Sequence, residues 1–298
     1  MAAQQRAISK SSVIGFIGTG IMGASMAGHL LRDGYEVHVN NRTKARADQL
    51  VQAGAHWQDS PQLVAERADV IFTMLGYPSD VESVYFGEEG LLANARPGSY
   101  LLDMTTSSPA LAKRITAAAA SNGLCALDAP VSGGDIGARE ARLSIMVGGP
   151  KEGFETVEEL LQLIGTNIVY QGDAGAGQFT KMCNQITIAS NMIGVSEALA
   201  YAKAAGLDQA QVLKSIQSGA AGSWSLTNLA PRMIAGDFAP GFYVKHFVKD
   251  IGIAIESAAE MGIELPGLKL AQLLYERLMA QGGAELGTQA LYEIIAGK

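Results

Sequence analysis

Two cysteines, Cys125 and Cys183, are too few for a disulfide framework in a chain of 298 residues, and neither sits in a metal-ligand spacing. Reduced thiols are expected, with Cys183 read as a helix-packing residue. The four histidines, His29, His38, His56 and His246, form no spaced cluster, so no metal is expected. Charge is sparse at 17%, the net charge is -7, and Lys/Arg-rich runs are missing. An acidic chain without a basic stripe is a poor match for phosphate backbones, which argues against nucleic acid as a partner. Uninterrupted apolar runs of the ~20 residues that span a bilayer are absent. The polar stretch from Met1 to Ser12 lacks the apolar core of a secretory signal. A soluble, cytoplasmic protein with no membrane association is expected.

What the chain does have is apolar material, 48% of its residues, enough for a large core in about two domains. In the first half, short apolar runs alternate with helix-like stretches. Val13–Ile17, Tyr35–Val39, Ala68–Met74 and Ser99–Asp103 read as strands, with Leu124–Asp128 and Leu143–Val147 as later members of the sheet. Helical patterns cover Met22–Asp33, Thr43–Ala53 and Pro109–Asn122. Such alternation points to parallel strands, whose neighbours need long helical returns. After about Gly172 the pattern becomes helical throughout: Gln178–Ala205, then Asp208–Ser218, Ser225–Ala235, Val248–Met261 and Leu268–Gln281. The fold class expected is α/β. It comprises an N-terminal Rossmann-type dinucleotide-binding domain, residues 1–174, and an all-helical C-terminal domain, residues 175–298.

The cofactor expectation comes from Gly18-Thr19-Gly20-Ile21-Met22-Gly23, a GxGxxG between a strand and a helix. Glycines at that spacing allow a tight turn and close approach of backbone to pyrophosphate, and the helix N-terminus offers N–H donors. An acidic residue at the end of the second strand would bind the ribose diol of NAD. This chain has Asn41-Arg42-Thr43 there instead. A guanidinium can stack on adenine and pair with a 2′-phosphate, so NADP(H) is favoured and NAD(H) remains possible.

Two further segments carry candidate chemistry. Ser132-Gly133-Gly134, after Asp128-Ala129-Pro130-Val131, can turn consecutive N–H groups toward an anion such as a carboxylate; taken alone it serves equally well as a plain turn. Lys181 shares a helix face with Asn184 and Gln185, at i+3 and i+4. That face could carry an ammonium and two amides into a cleft between the domains; on periodicity alone an ordinary exposed lysine is the favoured reading. Trp224 could approach a substrate, and helix packing explains it as well.

Taken together, these motifs resemble the β-hydroxyacid dehydrogenase family. Phe16 to Gly23, continuing to Met26-Ala27, looks like its cofactor fingerprint, Asp128 to Gly134 like its substrate motif, and Gly175 to Lys181 like its lysine motif, while Lys249-Asp250 resembles its late Lys-Asp pair. The resemblance implies that Lys181 is the general acid/base and that Ser132, Gly133 and Gly134 hold a substrate carboxylate. It also implies that Asn184 and Gln185 orient substrate or lysine, and that Leu75, Thr106 and Lys249 line the cofactor. The chain departs from common family patterns at Gln185, at Gly76 and at Gly287-Thr288-Gln289-Ala290. The expected reaction is hydride transfer between NADP(H) and a small carboxylate-bearing hydroxy acid or its aldehyde or keto-acid partner, in a homodimer or homotetramer. Lysine acid/base work near neutrality requires lowering a pKa of ~10.4 toward ~7–8, which burial or a neighbouring cation can do. An imine reductase would share both domains but typically carries another residue at the lysine position. A non-catalytic NADPH-binding module would have no use for the lysine and carboxylate motifs. A decarboxylating 6-phosphogluconate-type enzyme would need a larger helical domain.

Overall fold

The computed structural model describes residues 6–297, so part of the polar N-terminal stretch, residues 1–5, lies outside the described residues. Two compact units follow one another along the chain, the first ending at Lys181 and the second beginning at Met182.

Among the described residues, nine strands make the sheet of the first unit. They are β1 (Val13–Ile17), β2 (Glu36–Asn40), β3 (His56–Trp57), β4 (Val70–Thr73), β5 (Tyr100–Asp103), β6 (Cys125–Asp128), β7 (Val131–Ser132), β8 (Leu143–Gly148) and β9 (Gly165–Gly172). The order is β3-β2-β1-β4-β5-β6-β8-β7, with β9 also on β8. From β3 through β6 every pairing is parallel. The chain runs outward from β1 in both directions, so β1 and β4 flank a topological switch point, where open sheets bind ligands at their carboxyl ends. Side-chain alternation buries both faces: Phe16, Phe72 and Leu102 enter one core, and Ile17, Ile71 and Leu101 the other. Phe16 and Phe72 stack at 5.7 Å.

Several features depart from the sequence reading, among them the two-residue strands β3 and β7. β8 joins β6 and β7 antiparallel rather than continuing the parallel series. The whole of β9 is additional; its polar, half-exposed Gly-Thr-Asn-Ile-Val-Tyr-Gln-Gly lacks the apolar run that marks a buried strand. The helix expected over Ser225–Ala235 is two helices, Trp224–Asn228 and Ala230–Ala235. Pro231 lacks the N–H that would continue the first, so it opens the second instead.

The second unit is helical, as expected. Met192, Leu199, Phe247, Ile251, Tyr275 and Leu291 lie in its core. Phe247 meets Tyr275 edge-on at 5.1 Å, and the Tyr275 hydroxyl donates to the Thr288 carbonyl at 2.9 Å. Among the described residues no helix is long and apolar enough to cross a membrane.

Asp103, at the buried end of β5, ties the loops beyond the sheet together. Its Oδ1 accepts from the Thr73 hydroxyl at 2.9 Å and from the Thr105 N–H at 3.1 Å. Burial pushes its carboxyl up to about 6, against the pull of those bonds. The folded state therefore holds this proton more tightly than the unfolded chain. That contribution to stability is complete below about pH 4 and is lost as pH rises through about 6. Asp103→Asn keeps an acceptor without the titration. We predict that the stability of Asp103→Asn relative to the parent improves by about 1 kcal/mol from pH 5 to pH 8. Urea unfolding at both pH values checks it, and a pH-independent difference would count against the assignment.

Candidate active site

The cofactor residues expected from sequence, apart from Lys249 on the helix Val244–Glu260 of the second unit, gather at the carboxyl ends of adjacent strands. Gly18, Thr19 and Gly20 follow β1; Ile21, Met22 and Gly23 form the first turn of the helix Ile21–Arg32; Asn41, Arg42 and Thr43 follow β2; Leu75 follows β4; Thr106 follows β5. Backbone bonds lock the loop down, Gly18 N to Asn40 O and Met74 N to Ile17 O, both at 2.9 Å.

The glycines divide their work. A β-carbon on Gly23 would lie 1.9 Å from the Gly18 carbonyl oxygen, so the fold itself forbids one. At Gly20 a β-carbon would meet no atom within 4 Å, and the backbone there is extended, with φ -69°. Packing does not demand glycine at that position; an approaching pyrophosphate would. Beside it, the buried Thr19 Oγ1 has no hydrogen-bond partner among the described residues, and Ile21 is 62% exposed. An open cradle, an orphaned hydroxyl and a bare apolar side chain at a helix N-terminus fit a dinucleotide.

Asn41 and Arg42 have different surroundings. Asn41 Oδ1 accepts the Thr19 N–H at 3.0 Å, and its Nδ2 donates to the Thr43 carbonyl at 2.8 Å. The amide thus clamps the glycine loop to the loop after β2. The Arg42 side chain is 91% exposed, with Asp80 Oδ1 at 3.8 Å.

The lysine motif opens the helix Ala176–Ala204. Its first turn rests on the Asp128 carboxylate, which accepts from Gly175 N at 2.7 Å and Gln178 N at 2.8 Å. Burial pushes the Asp128 carboxyl up to about 6, with the backbone N–H groups opposing it. A β-carbon on Gly177 would lie 2.4 Å from the Met146 carbonyl oxygen and one on Gly148 would lie 2.6 Å from Gly177 N, so both glycines are needed for this approach. Gln178, fully buried, accepts from Ser107 N at 2.9 Å and donates to Thr105 O at 2.8 Å, gripping the loop that contains Thr106. Thr105 Oγ1 in turn accepts the Leu75 N–H at 2.9 Å. Sequence reading passed over Asp128 and Gln178 as individual residues; the signal was their place inside two motifs that must meet.

Lys181 is 6% exposed, which removes the exposed-lysine reading. Its Nζ donates to the Val131 carbonyl at 2.8 Å, one residue before Ser132-Gly133-Gly134. Gly133 and Gly134 both adopt positive φ, +134° and +64°, and lead into the helix Gly134–Arg139.

In the second unit, Asn184, Gln185 and Lys249 join through one buried carboxylate. Asn184 Nδ2 donates to Gln185 Oε1 at 2.6 Å, and Gln185 Nε2 donates to Asp250 Oδ2 at 2.5 Å. Lys249 Nζ lies 2.9 Å from Asp250 Oδ1. Gln185 is 1% exposed. Cys183, expected to pack within the helix, is exposed, because it lies off the buried face that Met182 and Gln185 share. Trp224 is likewise exposed rather than packed.

Residues 13–172 match the family model for the NAD-binding domain of 6-phosphogluconate dehydrogenase, and residues 175–295 match that for the NAD-binding of NADP-dependent 3-hydroxyisobutyrate dehydrogenase. The chain belongs to the β-hydroxyacid dehydrogenase family. Within that family it is 60% identical to an uncharacterized oxidoreductase, YkwC, of Bacillus subtilis, over 94% of this chain and 98% of the relative. It is 41% identical to the 2-hydroxy-3-oxopropionate reductase of Escherichia coli, over 95% and 96%. The solved 3-hydroxyisobutyrate dehydrogenase of Mycobacterium tuberculosis, with L-serine, superposes with a TM-score of 0.87 at 31% identity, covering 95% of this chain and 98% of that one. The protein is an NAD(P)-dependent oxidoreductase of the β-hydroxyacid dehydrogenase type.

The cradle at Gly20 gives a direct test. Gly20→Ala should leave the thermal midpoint within about 2 °C of the parent, since surface substitutions of this kind cost little. Dinucleotide affinity should fall at least tenfold, about 1.4 kcal/mol. Calorimetric titration with NADPH measures it, and undiminished binding would show that the cradle is not the pyrophosphate seat.

Proposed function

We propose that the protein is an NADPH-preferring reductase that interconverts a short carboxylate-bearing semialdehyde or keto acid with its hydroxy acid, using Lys181 as general acid/base. The observation that carries this reading is the 2.8 Å bond from the buried Lys181 Nζ to the Val131 carbonyl. It brings the ammonium to the residue before the Ser132-Gly133-Gly134 turn, so that on this reading a proton donor and an anion-binding turn share one corner of the first unit.

When bound, the nicotinamide supplies or receives the hydride. In the reductive direction Lys181 gives a proton from Nζ to the carbonyl oxygen as the carbon takes up the hydride, and the product is an alcohol. In the oxidative direction Nζ takes the hydroxyl proton as the hydride leaves. Ser132, Gly133 and Gly134 hold the substrate carboxylate and fix which carbon is presented. Asn184 orients the substrate, while Gln185, engaged with Asp250, keeps Asn184 and Lys249 in register rather than touching substrate itself.

Preference for NADPH is read from Arg42, which follows Asn41, the position where a carboxylate would select the ribose diol of NAD. The NADP-dependent description of the family model over residues 175–295 supports it. The substrate class is supported by the E. coli relative, named for a hydroxy-oxopropionate, and by L-serine with the M. tuberculosis enzyme; both molecules carry a carboxylate and a hydroxyl.

Lys181→Ala should lower turnover of short semialdehydes by about 10²–10⁴-fold, the usual share of a general acid/base, with NADPH affinity retained. Lys181→Met, which keeps the buried stem, should behave alike. Near-normal turnover in either variant ends the proposal. Arg42→Ala should weaken NADPH far more than NADH in fluorescence titrations, and equal losses for both cofactors would refute the preference.

A further inference from the structure

We propose that Asp80 is a specificity-determining residue for the cofactor, holding Arg42 in the free protein and competing for it with an incoming 2′-phosphate. The inference rests on the reading of Arg42 given above. Arg42 follows β2, and Asp80 lies in the first turn of the helix Pro78–Phe86, beyond β4, so the pair spans the strand β1 that feeds the glycine loop. Arg42 Nη1 stands 3.8 Å from Asp80 Oδ1.

The two partners are unequally free. Asp80 Oδ2 accepts the Tyr77 N–H at 3.1 Å and so caps its own helix; its charge cannot move away without uncapping it. The guanidinium, 91% exposed, can swing. Neighbouring Lys44 is engaged differently, its Nζ 5.1 Å over the Trp57 ring. A fixed carboxylate beside a mobile guanidinium favours the positive charge in place, yet opposes any second anion that arrives there. A 2′-phosphate must take Arg42 from Asp80 and tolerate the carboxylate's field. The neutral ribose diol of NADH does neither. Asp80 therefore weakens NADPH selectively and narrows the gap between the two cofactors, leaving NADH usable.

The substitution Asp80→Asn separates charge from structure, since the amide oxygen can still accept the Tyr77 N–H. Dissociation constants for NADPH and NADH are measured by nicotinamide fluorescence in the parent, Asp80→Asn, Arg42→Ala and the double variant. At low ionic strength Asp80→Asn is expected to tighten NADPH about three- to fivefold, the scale of an exposed ion pair, and to leave NADH within about twofold. The gain should fade at about 0.5 M salt, where screening reaches only a few ångströms. In the Arg42→Ala background the gain should fall to less than half. Unchanged or weakened NADPH binding in Asp80→Asn, with a selective loss in Arg42→Ala, would overturn the role of Asp80 while sparing that of Arg42. An equal gain in both backgrounds would mean simple repulsion and would also overturn the competition. Equal loss of both cofactors in Arg42→Ala would sink the cofactor reading itself, and this inference with it.

Discussion

The helix that carries Lys181 starts on a buried carboxylate, and most of what surrounds the lysine depends on that contact. Asp128 ends β6 and accepts the N–H groups of Gly175 and Gln178, donors that a helix start leaves without intrahelical partners. The helix dipole favours a negative charge there, and burial opposes it. The balance leaves the carboxyl raised but anchored by several donors. Three residues after Asp128, the Val131 carbonyl receives the Lys181 ammonium. One short segment therefore sets where the helix begins and holds the lysine at its second turn, and then continues into Ser132-Gly133-Gly134. The bond to the Val131 carbonyl thereby ties the ammonium to the backbone of the segment that forms that turn.

From the same helix start, Gln178 extends the arrangement toward the cofactor loops. Its amide holds both Thr105 and Ser107, and Thr105 holds Leu75. The loops after β4 and β5 are thus tied to the helix that carries the acid/base candidate. Buried amides are suited to this, since they satisfy a donor and an acceptor at once without the desolvation cost of a charge. Gln185 is used in the same way in the second unit, joining Asn184 to Asp250.

Much of this could be read in the chain before any coordinates. The GxGxxG after Val13–Ile17, the apolar runs that became β2, β4 and β5, and the long helix of the lysine motif are strong local patterns, and each lies within a residue or two of its expected place. The strands that were missed have weak patterns for physical reasons. β3 and β7 are two residues long and have no period; β9 is polar and half exposed. The antiparallel entry of β8 is a matter of topology, which apolar runs do not encode. In the site, spacing along a helix could set Lys181, Asn184 and Gln185 on one face. It could not show that Gln185 turns to Asp250, because that partner lies 65 residues away. Asp128 carried no individual signal, since a carboxylate at a strand end looks the same whether it meets solvent or the start of a helix.

The loop after β2 shows how far neighbouring residues of one motif can diverge. Read as a string, Asn41-Arg42-Thr43 offers three ligands for an adenosine phosphate. Asn41, however, spends its acceptor on Thr19 and its donor on Thr43, so its amide holds the glycine loop against the β2 loop. An aspartate there could keep the Thr19 bond but would set a carboxylate oxygen against the Thr43 carbonyl. The usual acidic selector of NAD is therefore disfavoured by the protein's own backbone as well as by any phosphate. Under the proposed NADPH preference, the charge that would discriminate between cofactors is left to Arg42, whose side chain is 91% exposed with Asp80 Oδ1 at 3.8 Å. With the loop fixed by an amide, electrostatics around that one side chain can be tuned without moving the pyrophosphate seat.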